Sequence, residues 1–92
     1  MNTANTAPTA NTAPVYSFGI DVETKSKARL IRELGRLVST VEIADGGEYR
    51  EDRHYSQVHV TTKMTEPKLE EWLCGNSRID YVGVFERSQE KQ

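Results

Sequence analysis

The side chains best placed to do chemistry lie in one short stretch, KSKARLIRELGR, residues 25–36. It sets five bases (Lys25, Lys27, Arg29, Arg32 and Arg36) against a single acid, Glu33, in a chain of 92 residues whose formal charge is −2. The stretch therefore sums to +4 and everything else to −6, a polarisation that bears on partners and approach rather than on fold. Guanidinium groups hold planar anions in a bidentate fork better than ammonium groups do. The chemistry in view is contact with an anion, either a phosphate backbone or an acidic protein face. Such contacts speed association, weaken with salt, and read no base sequence by themselves.

Other reactive side chains are few. His54 and His59, the only histidines, are five apart and on one continuous strand point to opposite faces, so they do not chelate one metal. The single cysteine, Cys74, follows Trp72 and Leu73 without an accompanying base, which fits a packed or half-exposed thiol better than a nucleophile. There is no CxxC, HExxH or P-loop pattern. The acids and bases of EYREDR interleave as a self-neutralised hairpin, and Glu48, Arg50, Glu51, Asp52 and Arg53 equally suit the polar rim of a binding surface. No enzyme, cofactor, metal or small-molecule substrate is expected.

The elements that position these residues follow from periodicity. Tyr16, Phe18, Ile20 and Val22 alternate with Ser17, Gly19 and Asp21, the period of a half-buried strand. Thr24 or Ser26 then caps a helix running to about Val38, with Leu30, Ile31, Leu34, Leu37 and Val38 as its apolar stripe. A second strand, STVEIA, puts Val41 and Ile43 on one face, and Asp45-Gly46-Gly47 reads as the turn of an exposed hairpin. In the third strand, YSQVHVTTK, Val58 and Val60 oppose Gln57, His59 and Thr61. TEPKLEEWLC starts a helix at Thr65 or Glu66, with Pro67 in the first turn, a buried edge of Leu69, Trp72 and Leu73, and Gly75-Asn76 as its stop. The last strand, RIDYVGVFER, is apolar on both faces, as expected of a strand inside a sheet or one whose second face is covered.

At about 100° per residue, Lys25, Arg29, Arg32 and Arg36 fall within roughly 60° of one another, diametrically opposite the apolar stripe. Lys27 lies on the flank. Charged residues on the outer side of an amphipathic helix ordinarily make no more than a solvated surface. Here all four share a sign, which costs helix stability at spacings of three and four, and three of the four are arginine.

The order strand, helix, strand, strand, helix, strand predicts an α+β, ferredoxin-like βαββαβ domain over residues 15–87, with a four-stranded antiparallel sheet and two helices on one face. Residues 1–14, a degenerate Asn-Thr-Ala repeat with two prolines, read as a flexible low-complexity tail, and 88–92 as a C-terminal tail. No apolar run reaches the roughly 18 residues of a membrane span. The N-terminus lacks the basic start and apolar core of a secretory signal, and one cysteine suits a reducing cytoplasm. An acylphosphatase of this fold needs a glycine-rich phosphate loop where DVETKSKAR stands, so that activity is excluded. An RNA-recognition module would stack bases on sheet aromatics. Tyr55 suits this, but the accompanying aromatic signature is missing. Small-molecule binding at a dimer seam is compatible with the two-faced strand 79–85.

Taken whole, FGIDVETKSKARLIRELGRL with GGEYREDRHYSQVHVTTKMTEPKLEEWL resembles the small phage-encoded anti-CRISPR proteins that act on type I-F surveillance complexes. The resemblance spans residues 15–87 and rests on no shared motif, so it transfers no functional residue. It implies a non-enzymatic inhibitor in the cytoplasm of an infected bacterium, docking on Cas protein subunits and their guide RNA and blocking target DNA recognition. Lys25, Arg29, Arg32 and Arg36, with Arg50 and Arg53, would then meet guide-RNA phosphates or partner acids. Glu66, Glu70 and Glu71 would mimic DNA charge. The alternative is a stand-alone ferredoxin-like module that binds nucleic acid or a ligand.

Overall fold

The structure, a computed structural model, describes residues 14–87. The expected tails at 1–14 and 88–92 lie outside the described residues except for Pro14. The chain forms β1 (Tyr16–Glu23), α1 (Thr24–Gly35), β2 (Thr40–Glu48), β3 (Tyr55–Thr62), α2 (Glu66–Cys74) and β4 (Tyr81–Glu86). The fold is α+β: one four-stranded sheet in the order β2-β3-β1-β4, every neighbouring pair antiparallel, with two helices.

Alternation in the two central strands sets the core. β1 buries Phe18, Ile20 and Val22, and β3 buries Ser56, Val58, Val60 and Thr62. The register pairs Ile20 with Val58 and Phe18 with Val60, so their inward side chains are adjacent. Leu30 and Leu34 of α1, Leu69 and Leu73 of α2, and Ile79 complete the same cluster. Each fully buried aliphatic side chain contributes about 1.5–3 kcal/mol relative to exposure. α1 packs on β1, β2 and β3, and α2 against β4.

Five details differ from the sequence reading. α1 ends at Gly35 rather than Val38, and Arg36 forms its C-cap. Leu37 packs partly against the core, but Val38 is 97% exposed and leaves the apolar stripe. The hydroxyls expected to cap α1 are used elsewhere. The Thr24 hydroxyl donates to the Arg53 carbonyl (2.7 Å) and meets Ser56 Oγ, while buried Ser26 Oγ accepts the Asp80 amide (3.1 Å). These bonds tie the first turn of α1 to the β2–β3 turn and to the approach to β4.

Asp45-Gly46-Gly47 is not the hairpin turn, because β2 runs through it as an irregularity. A side chain at Gly46 would come within 2.7 Å of the Gln57 carbonyl oxygen, and Gly47 has φ +89°, so this stretch of edge strand is open only to glycine. The reversal lies at residues 50–54 instead. The Tyr49 amide donates to the Tyr55 carbonyl, and Asp52 Oδ1 accepts the His54 amide, a carboxylate-stabilised turn. A second irregularity sits between Thr40 and Glu42; Val41 stands within it, 55% exposed, while Ile43 faces the core. Finally, β4 is an edge strand rather than an interior one. Among the described residues nothing covers its second apolar face, which leaves Val82 62% and Phe85 38% exposed.

Gly46→Ala is expected to lower stability by about 1–3 kcal/mol, because the rigid Gln57 backbone must move. Gly83→Ala, whose new methyl meets nothing within 4 Å, is expected to stay within about 0.5 kcal/mol of the parent. Urea unfolding of both variants measures the difference, and equal effects would contradict the strand assignment of Gly46.

Candidate partner-binding surface

α1 turns Ser26, Leu30 and Leu34 inward, leaving Lys25, Arg32 and Arg36 exposed and Arg29 half-buried. The basic residues thus lie away from the buried side, but the chain's own carboxylates reach three of the five. Lys25 Nζ lies 3.2 Å from Asp80 and 3.6 Å from Glu23, with Asp80 chiefly raising its pKa. Arg36 meets Glu33 at 3.8 Å, and Lys27 meets Asp45 at 3.2 Å. Arg29 and Arg32 form no ion pair among the described residues. The strip therefore presents two uncommitted guanidinium groups, three residues apart, between two exposed and already paired ends. Ion pairs as exposed as those of Lys25 and Arg36 are weak and salt-screened, so a polyanion displaces them at small cost.

Arg50 and Arg53 are both exposed in the β2–β3 turn and likewise form no ion pair among the described residues. The Arg53 carbonyl is anchored to Thr24, which brings its backbone beside the first turn of α1. On α2, Glu66, Glu70 and Glu71 pair with no base among the described residues.

The sheet face turned away from the core carries a polar network that the sequence reading missed. Tyr49 Oη donates to Asp21 Oδ1, Gln57 Nε2 donates to Tyr49 Oη (2.8 Å) and weakly to Asp21 Oδ1 (3.4 Å), and His59 Nε2 bonds Gln57 Oε1. The Gln57 carbonyl can only accept, so His59 carries its proton on Nε2. Asp21 and Gln57 are direct cross-strand partners, a pairing implied by period-two alternation once the register is known. Tyr49 gave no such signal, because it follows β2 in a stretch that reads as solvated hairpin. Beside this network, Asp21, Tyr49, Tyr55 and Val82 line a shallow hollow of about 200 Å³.

Among the described residues neither histidine hydrogen-bonds a serine, threonine or cysteine side chain. His59 is engaged with an amide, and His54, in the turn, bonds Asp52. Cys74 is exposed and meets the Tyr81 hydroxyl at 3.2 Å. Among the described residues no group of three or more His, Cys, Asp or Glu is placed to hold a metal ion, and no helix is long and apolar enough to cross a membrane. Aromatic stacking on the central strands has little to work with, since the outward positions of β1 and β3 include Gly19, Gln57 and His59, with Tyr55 at one end. Comparison with protein-family models, with curated proteins and with solved structures finds no significant match to this chain.

Burial, then the charge of Arg87, holds His59 below the usual histidine range. The Gly47 amide, then Lys27, holds Asp45 below the usual carboxylate range. In both cases the unfolded chain binds the proton more readily, so both contributions are complete at neutral pH and are lost as pH falls. The histidine loss begins near pH 6.5 and the carboxylate loss near pH 4. The urea midpoint is expected to drop in both windows, with His59→Gln flattening the upper and Asp45→Asn the lower. A midpoint constant from pH 7 to 3 would contradict these assignments.

Proposed function

We propose that this chain is a non-enzymatic binding protein of ferredoxin-like build that applies the outer side of α1 to an anionic partner. The strand order β2-β3-β1-β4 supports that build. So does the joining of leucines from both helices with the inward side chains of β1 and β3 in one cluster, as expected of helices sharing one face. The observation that carries the binding role is the pair Arg29 and Arg32, left without carboxylate partners among the described residues and flanked by Lys25 and Arg36 in exposed, exchangeable pairs.

The partner to test first is the Cas protein–guide RNA complex of a type I-F CRISPR system, whose target DNA recognition this protein would block. That choice rests on the resemblance of residues 15–87 to phage inhibitors of such complexes. It fits a chain polarised in both senses: arginines for guide-RNA phosphates, and Glu66, Glu70 and Glu71, without a basic partner among the described residues, for lysine-rich DNA-binding surfaces. Such a protein works in the cytoplasm of the infected host.

Affinity capture from cells expressing the complex is expected to retain it, whereas a gel shift with bare RNA at moderate salt is expected to show no complex. Tight binding of bare RNA alone would favour a stand-alone nucleic-acid-binding module instead. Arg29→Glu with Arg32→Glu is expected to weaken capture by several kcal/mol, each charge-assisted bond contributing about 1.5–3 kcal/mol, with an unchanged circular dichroism spectrum. Unchanged capture by the folded double variant would return both arginines to ordinary surface.

A further inference from the structure

The hollow on the outward sheet face has a composition that selects its occupant. Tyr49, Tyr55 and Val82 line it together with Asp21, which supplies the only formal charge among the lining residues. That carboxylate is held in place by neutral donors, Tyr49 Oη and Gln57 Nε2, both on Oδ1. No lysine or arginine pairs with it among the described residues, and Oδ2 accepts no hydrogen bond from them. An orienting carboxylate beside aromatic rings attracts a cation carried on an apolar stem. About 200 Å³ falls below the roughly 300–1,000 Å³ of pockets that enclose a drug-sized ligand, so the fit is to the end of a side chain. Between the two cationic side chains, the planar guanidinium stacks on a ring while an N–H in its plane donates to the free Oδ2, a combination the compact ammonium does not offer.

We propose that this hollow, lined by Asp21, Tyr49, Tyr55 and Val82, receives the guanidinium of an arginine presented by a protein partner, with the arginine stem against Val82 and the tyrosine rings. The site uses none of the α1 residues, so it stands or falls separately from the proposed anion contact. Val82 and Tyr55 accordingly contribute apolar wall, and Gln57 and Tyr49 position the carboxylate.

The test is an NMR titration of the full chain with Nα-acetyl-arginine amide, run beside the neutral isostere Nα-acetyl-citrulline amide. Saturable shifts at Asp21, Tyr49, Tyr55 and Val82 are expected with the arginine compound only. Asp21→Asn is expected to weaken the response about tenfold or more, as loss of a charge-assisted bond requires. Val82→Lys, at an exposed position, is expected to abolish it by placing an ammonium in the hollow, and it decides the matter if Asp21→Asn fails to fold. Equal shifts with citrulline, shifts elsewhere on the chain, or a full response in a folded variant would overturn the site. Free arginine binding about tenfold more tightly than the blocked compound would make the ligand a free amino acid and overturn the protein-borne assignment.

Discussion

One-sided burial of the sheet is the constraint on which the remaining structure depends. Phe18, Ile20 and Val22 of β1 and Val58 and Val60 of β3 lie on a single face in mutual register. A slip of one residue between β1 and β3 would exchange those side chains for Asp21, Gln57 and His59. In so small a domain the core has few side chains to lose, so the inward leucines of both helices are bound to the same cluster. Once Leu30 and Leu34 face inward, α1 has its rotation fixed, and the basic residues are carried to the outer side, where carboxylates meet Lys25, Lys27 and Arg36 but, among the described residues, neither Arg29 nor Arg32. The basic surface is a consequence of core packing.

The same constraint shapes the opposite surface. With the apolar half of each central strand committed to the core, the outward halves are polar and bond among themselves through Asp21, Tyr49, Gln57 and His59. The two sheet edges differ. β2 is broken by irregularities around Val41 and at Gly46-Gly47, which disfavour pairing with another chain. β4, whose register against β1 also shifts once, at Val82, is shorter and more apolar, with Val82 and Phe85 exposed. The Phe85 ring lies over Gly19, close enough that a side chain there would meet it, so part of the outward face of β1 is covered by its neighbour rather than by a partner.

Much of this was legible in the sequence, and the exceptions have physical causes. The alternation of β1 and β3 and the stripe Leu30–Leu34 are strong signals because burial on one face enforces them. Val38 misled because periodicity continues on paper after the backbone has stopped winding at Gly35. Asp45-Gly46-Gly47 reads as a turn because glycine is needed both for reversals and for close approach within a bulged edge strand, and sequence alone does not separate the two. The apolar character of β4 is compatible with an interior strand or an uncovered edge, and only the strand order decides. The basic side of α1 was visible as an angular cluster, but the carboxylates reaching Lys25, Lys27 and Arg36 come from Glu23, Asp80, Asp45 and Glu33, three of which lie outside the helix. The hollow at Asp21 was invisible for a related reason, because its walls come from β1, β3, β4 and the residue after β2.

The proposed contact between α1 and an anionic partner is tested most directly by the salt dependence of affinity for a type I-F surveillance complex loaded with guide RNA. If Arg29 and Arg32 each neutralise a phosphate, the logarithm of the association constant falls with the logarithm of salt concentration. The Arg29→Ala, Arg32→Ala double variant should then show a slope shallower by roughly 1.5 units, at about 0.7–0.9 per phosphate contact. Identical slopes for the parent and the variant would contradict the account.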